Sequence, residues 1–312
     1  MKNMYPLKLN PIYIKTVWGN TYLASLRHEN QIIGSSWEIS AHPHADNTVI
    51  NGKYKGQTLS ALIDQYPREM LGEKKKNQML RLSYIDASQS LSIQVHPYNE
   101  YARQYENDEG KVEAWYILKS HPDAQLISGT TTEDIDVIKK AVKEDKIEDY
   151  VNKVKMAEGD FITIDAGQLH AFGAGMLGLE ISQNSDVTYR FYDFHRKDDS
   201  GKERPLHIQK SFDVVDLTKH GEKSSHPFVR QGKETVVDRK EFTVEIIDLD
   251  GEYLLEPNQE RFYCLTNVLD NCELIYENQV YPFHYTENIF IPAYCSPITI
   301  KGKTRIIISY VK

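Results

Sequence analysis

The chain has 312 residues, with 37 Lys and Arg against 45 Asp and Glu, for a net charge of −8. That balance disfavours nucleic acid as a partner, because backbone phosphates call for a surplus of cations. At 40% hydrophobic and 26% charged residues the composition is that of a folded globular protein, not a disordered one.

The N-terminal residues lack the apolar stretch of a secretory signal, and no later run approaches the roughly 20 apolar residues of a bilayer span. No membrane association is expected, and the cytoplasm is the expected location. Cys264, Cys272 and Cys295 are odd in number and widely spaced, so they signal neither a disulfide framework nor a thiolate zinc site. Any metal would sit on His, Glu, Asp or Gln.

In chain order, apolar-polar alternation predicts strands at residues 31–40, 80–86, 91–96, 112–118, 160–165, 187–194, 242–249, 263–269 and 305–310. Helical spacing is confined to residues 59–71, a short turn at 99–105, a pair across 133–154, and 207–217. Such a succession favours a mainly β sandwich or jelly roll with helical insertions over a doubly wound parallel sheet, which needs helices regularly between its strands. Residues 197–240 are rich in charge, Gly, Ser and Pro, so a boundary is expected near Asp238. It separates a first domain, 1–238, from a strand-only C-terminal domain, 239–312. A weak internal echo links the two: residues 159–170 align without gaps on 286–297, with matching apolar positions and Pro297 where the first copy has His170. One architecture used twice would explain it, with metal chemistry kept only in the first copy.

Chemistry concentrates in three runs of the first domain. In residues 91–97 alternation places Gln94 and His96 on one strand face, with Val95 on the other. In residues 110–118 it places Glu113 level with Trp115. The run Gly159-x5-Asp165-x-Gly167-x2-His170 reads as a strand, a tight turn needing positive φ, and a histidine that starts the return strand. Two imidazoles, a carboxylate and a nearby amide oxygen form an N/O donor set suited to zinc or a neighbouring divalent ion. A carboxylate buried among core strands without a cation is costly, which favours the joint reading over four separate structural roles. His42 and His44, spaced by two, form a rival pair, but Pro43 breaks their strand and no carboxylate follows.

The strings QVHPYNEYA (94–102), GKVEAWYIL (110–118), AGQLHAFGAGMLGLEISQNSDVTYRFYDFHR (166–196) and KTVWGN (15–20) resemble the short bacterial form of type I mannose-6-phosphate isomerase. The motifs run from near the first residue to about Asp216, and the C-terminal strands match in length and pattern only. The resemblance implies a cupin jelly roll followed by a smaller metal-free one, and a single bound zinc. It also implies interconversion of the phosphorylated hexoses mannose 6-phosphate and fructose 6-phosphate. Carried over by motif, the zinc ligands are His96, Glu113 and His170 with Gln94 as a fourth, Arg190 is catalytic, and Lys111 belongs to the active site. Asp165 stands where the family commonly has Pro, and Ala174 where the general cupin pattern has Asn; both bear on turn geometry more than on ligand identity.

Such an isomerisation passes through an enediol or enediolate. It needs a base near C1 and C2, a cation near O1 and O2, and an anchor for the phosphate. The sequence leaves the base open among Glu180, Lys111, a zinc-bound water and other histidines, and gives Arg190 either the enediolate or the phosphate. Two readings from other classes remain at this level. A cupin with two His and one carboxylate also describes a non-haem iron dioxygenase, and a sugar-binding sensor is the non-catalytic alternative. Arg190 and Lys111 favour a phosphosugar enzyme over both.

Overall fold

The computed structural model describes residues 4–312. By its contacts the chain divides into two compact units: Tyr13–Ser36 with Ser83–Ser225, and the segment up to Ile12 with Trp37–Leu82 and His226–Lys312. The C-terminal strands therefore form their unit together with two earlier segments of the chain.

In the first unit a five-stranded sheet carries, side by side, Val151–Lys155, Gln125–Thr130, His170–Ala171, Ile93–Val95 and Tyr189–Tyr192. A second sheet contributes Lys223–Ser225, Asp160–Ile164, Glu113–Ser120 and Met176–Gln183 as neighbours. The sheets pack face to face through Trp115, Ile117, Leu126, Ile162, Ile164 and Phe172. Trp115 meets Phe172 edge-on, with ring centroids 5.2 Å apart. The opposite face of the five-stranded sheet is equally apolar. Ile93, Val95, Ile127 and Phe191 cluster there with Val214 of the helix Ile208–Val214. Period-two alternation sends Ile93 and Val95 to that helix-covered layer and Ser92, Gln94 and His96 into the space between the sheets.

The second unit is built on an eight-stranded sheet in which Thr243–Leu255 and Ile298–Tyr310 pair antiparallel along their full lengths. Its core gathers Ile247, Leu265, Phe283, Ile289, Ile306 and Ile308. The internal echo has a structural counterpart. Asp160–Ile164 is followed by a turn and then His170, and Asn288–Ile291 by a turn and then Ile298. Ala166 and Ala293 are buried at matching turn positions.

The jelly-roll reading holds, and the helix at Asn99–Tyr105 falls where expected. Two helical expectations need correction. Residues 59–71 form two helices, Leu59–Gln65 and Pro67–Leu71. They break at Tyr66, because the residue before a proline is pushed out of the α region. The expected pair across 133–154 is shorter than its spacing suggests: an α-helix, Ile135–Lys143, capped by the Asp134 carboxylate, which accepts from the Asp136 and Val137 amides, and then a single 3-10 turn, Ile147–Tyr150. Between them Asp145 turns left-handed at φ 55°, and Val151–Lys155 becomes a strand paired with Gln125–Thr130. Helix 207–217 shortens to Ile208–Val214. Met176–Gln183 escaped detection because all but its last residue is buried, which removes the polar half of the alternation. No helix among the described residues is long and apolar enough to cross a membrane.

Candidate metal centre

The turn after Asp160–Ile164 brings the two histidines together. Gly167 adopts φ 84°, its amide donates to the His96 carbonyl at 2.8 Å, and a Cβ there would lie 2.3 Å from the Tyr98 hydroxyl. Only glycine fits such a position. The chain leaving it sets His170 directly opposite Gln94 in the ladder. From the facing sheet Glu113 enters between Ile164 and Ser182.

The four predicted ligands converge. His96 Nε2 lies 3.2 Å from Glu113 Oε1 and His170 Nε2 lies 3.8 Å from Glu113 Oε2. Gln94 Nε2 is 3.4 Å from His170 Nε2. Ligand atoms of His96, Glu113 and His170 fall within 4.8 Å of one another, the one such group of three among the described residues. All three residues are buried. Both rings are oriented from behind: His96 Nδ1 bonds the Val187 carbonyl at 2.7 Å and His170 Nδ1 the Gln168 carbonyl at 2.8 Å. A carbonyl only accepts, so each Nδ1 carries the proton and each Nε2 turns a lone pair into the site.

Two lone pairs and a carboxylate facing one another in a buried pocket repel. His96 Nε2 and Glu113 Oε2 are buried and make no hydrogen bond, which is what a donor set awaiting a cation looks like. Burial and the neighbouring His96 hold His170 down at about 3, so its ring stays neutral and able to ligate at physiological pH. For Glu113, burial pushes the carboxyl up, but the Lys111 ammonium beside it outweighs burial and leaves the group well below the usual carboxylate range. In this arrangement Ser92 Oγ donates to Gln94 Oε1 at 2.9 Å. Ligation through that oxygen requires a half-turn of the amide, which the Ser92 hydroxyl accommodates because it also accepts.

Lys111 is buried between carboxylates. Its ammonium pairs with Glu113 and, at 3.1 Å, with Glu180. Ser182 Oγ and Ser83 Oγ donate to Glu180 from 3.1 and 3.4 Å. Arg190 stands directly opposite Gln94 on the next strand, so His170, Gln94 and Arg190 form one row on the face that lines the site. Strand spacing puts Arg190 roughly 10 Å from His170 along that row. Its Nε is buried without a hydrogen bond. Two acidic residues of the first unit that could otherwise pair with it are engaged elsewhere: Glu180 holds Lys111, and Asp193 is clasped by Arg196 and Arg204.

The rival pair does not form a site. His42 ends the strand Ala41–His42 and His44 sits in the turn before Ala45–Asp46; their rings meet edge-on with centroids 4.8 Å apart, His42 Nδ1 accepts the His44 amide at 3.2 Å, and no third ligand joins them among the described residues. Trp18 and Trp115 belong to the core cluster; Trp115 backs the His170 ring, centroids 5.7 Å apart. Sequence reasoning missed Ser92, Ser83 and Ser182. Ser92 was detectable in principle, being two residues before Gln94 on the same face. The second unit contains a cavity of about 550 Å³ lined by Tyr5, Lys8, Lys53, Tyr276 and Tyr281 among others. No His or Cys lines it, and the chemistry lies with the buried cluster of the first unit.

Comparison with known proteins agrees with this geometry. Residues 7–126 match the family model for the phosphomannose isomerase type I catalytic domain and residues 232–311 that for the mannose-6-phosphate isomerase cupin domain. The chain is 33% identical to the mannose-6-phosphate isomerase ManA of Bacillus subtilis over 98% of both chains. It is 36% identical to the mannose-6-phosphate isomerase of Streptococcus mutans, covering 85% of this chain and 84% of that one. The crystal structure of the mannose 6-phosphate isomerase from Bacillus subtilis superposes with a TM-score of 0.89 at 30% identity, covering 99% of this chain and 100% of that one. The likeness thus extends through the C-terminal strands, where sequence motifs alone carried nothing.

Proposed function

The chain belongs to the type I phosphomannose isomerase family, and from that premise we propose that it interconverts mannose 6-phosphate and fructose 6-phosphate with one zinc ion held by His96, Glu113, His170 and Gln94. The observation that carries this reading is the convergence of two unprotonated imidazole nitrogens on a carboxylate whose second oxygen is buried and unbonded. Nitrogen and oxygen donors of this kind suit zinc. When bound, the ion lowers the energy of negative charge developing on the sugar oxygens.

The chain's own residues supply the rest. Arg190, with a free donor on the row beside Gln94, presents a fixed positive fork to the charge that develops on the substrate or to its phosphate. Lys111, held by Glu113 and Glu180, adds an ammonium at the carboxylate ligand. Trp115 and the facing core exclude water from behind the histidines. A dioxygenase acting on small apolar compounds has no use for these cations.

The reading is tested by supplying mannose 6-phosphate to the purified protein and coupling fructose 6-phosphate formation to a reporter reaction. Conversion in both directions is expected, and no conversion by folded, zinc-loaded protein would overturn it. In heavy water, deuterium at the carbon adjacent to the carbonyl is the expected signature of proton transfer through an enediol.

A further inference from the structure

Arg190 lies on Tyr189–Tyr192, an edge strand of the five-stranded sheet. An edge residue whose main chain turns outward leaves an N–H and a C=O without a ladder partner. Here both are taken by one residue. The Arg190 amide donates to His207 Nδ1 at 3.2 Å, and the His207 amide donates to the Arg190 carbonyl at 2.9 Å. His207 thus acts as a one-residue strand laid against Arg190. The ladder slips immediately afterwards, with Tyr192 and not Phe191 opposite Ile93, so on its outer side the Arg190 main chain is held by His207 while Tyr189 and Phe191 pack inward on either side of it. His207 occupies the N-cap position of Ile208–Val214, yet its side chain makes no capping hydrogen bond. Its ring is committed to Arg190 instead.

We propose that His207 is a positioning residue for Arg190, its Nδ1 acting as the outer hydrogen-bond acceptor that holds the Arg190 backbone, and hence the guanidinium, in register with Gln94 and the metal centre. The inference rests on the role given above to Arg190. It requires a neutral ring with the proton on Nε2. Burial, the facing Arg190 and Lys210 on its own helix hold His207 below the ordinary histidine value, against an opposing pull from Glu106. Tyr189, ring centroid 6.1 Å away, donates to Glu106 and stays clear of Nδ1.

Three substitutions separate this role from packing. Asn places its Oδ1 where His has Nδ1, Gln reproduces only the Nε2 position, and Ala supplies neither. His207→Asn is expected to keep kcat/KM within about threefold of wild type. His207→Gln and His207→Ala should lose about tenfold or more, as misplacement of a reacting group does, with metal content unchanged and in the same kinetic parameter that Arg190→Ala alters. On an Arg190→Ala background, His207→Ala should cost nothing further. In the wild type the Arg190 amide should be protected from hydrogen exchange, which reports the bond without any variant. Equal activity of the Asn and Gln variants, a further loss on the Arg190→Ala background, or an unprotected Arg190 amide would overturn the proposal. A wild-type rate for Arg190→Ala would instead defeat the role of Arg190 itself.

Discussion

His170→Ala is expected to abolish both metal retention and turnover while leaving the protein folded. The ring supplies one of only two imidazole nitrogens at the centre, and its Nε2 is presented by the Gln168 carbonyl behind Nδ1. Without it the ion would be left with His96, the Glu113 carboxylate and the weaker amide of Gln94. Removing only an outer hydrogen-bond partner of a metal ligand typically costs about 10–100-fold in affinity or activity, so loss of a ligand should exceed that. Metal content by atomic emission should fall from about one ion per chain to near zero, and the isomerase rate should drop below detection. The fold should survive, because the core cluster around Trp115, Ile162 and Phe172 keeps all its own members when the ring, which meets Trp115 edge-on, is removed. Full metal content with full activity would remove His170 from the centre.

The second large effect is expected at Arg190. Arg190→Ala should keep the metal and lose about 10²-fold or more in kcat, the usual consequence of removing one charged contact to a developing oxyanion. The substitution also decides between the two roles the residue can fill. If the guanidinium meets charge that exists only in the transition state, kcat and kcat/KM fall together. If it anchors the phosphate equally in ground and transition states, KM rises and kcat holds. We expect the first, since Arg190 shares a row with Gln94 and His170 and Nε is left without a protein partner. Arg190→Lys keeps the charge but not the planar fork, and should recover part of the rate. Unchanged kinetics in the Ala variant would demote Arg190 to a structural residue.

The convergence of the proposed ligands was legible in the sequence for a simple reason. Gln94, His96 and Glu113 are polar residues in strands that otherwise read as core, and Gly167 announced the turn that its φ of 84° bears out. What holds those side chains was not legible. The carbonyls of Val187 and Gln168 that orient the imidazoles belong to residues whose identity is irrelevant to the bond. The clasp of Glu180 on Lys111 joins positions far apart in the chain. His207 gave no signal either, because its task is to bond a backbone amide across a loop. At the level of the fold, alternation found strands with one polar face and passed over Met176–Gln183, buried almost throughout. Helical spacing misled only beyond the 3-10 turn Ile147–Tyr150, because Val151 and Val154 satisfy both periods, and pairing with Gln125–Thr130 decided in favour of the strand.

If a divalent ion on His96, Glu113 and His170 makes the reaction possible, mannose 6-phosphate turnover followed in one preparation before chelation, after exhaustive chelation and after zinc is returned should vanish with the metal and come back at about one zinc per chain. Undiminished turnover in protein shown to be free of metal would contradict that requirement.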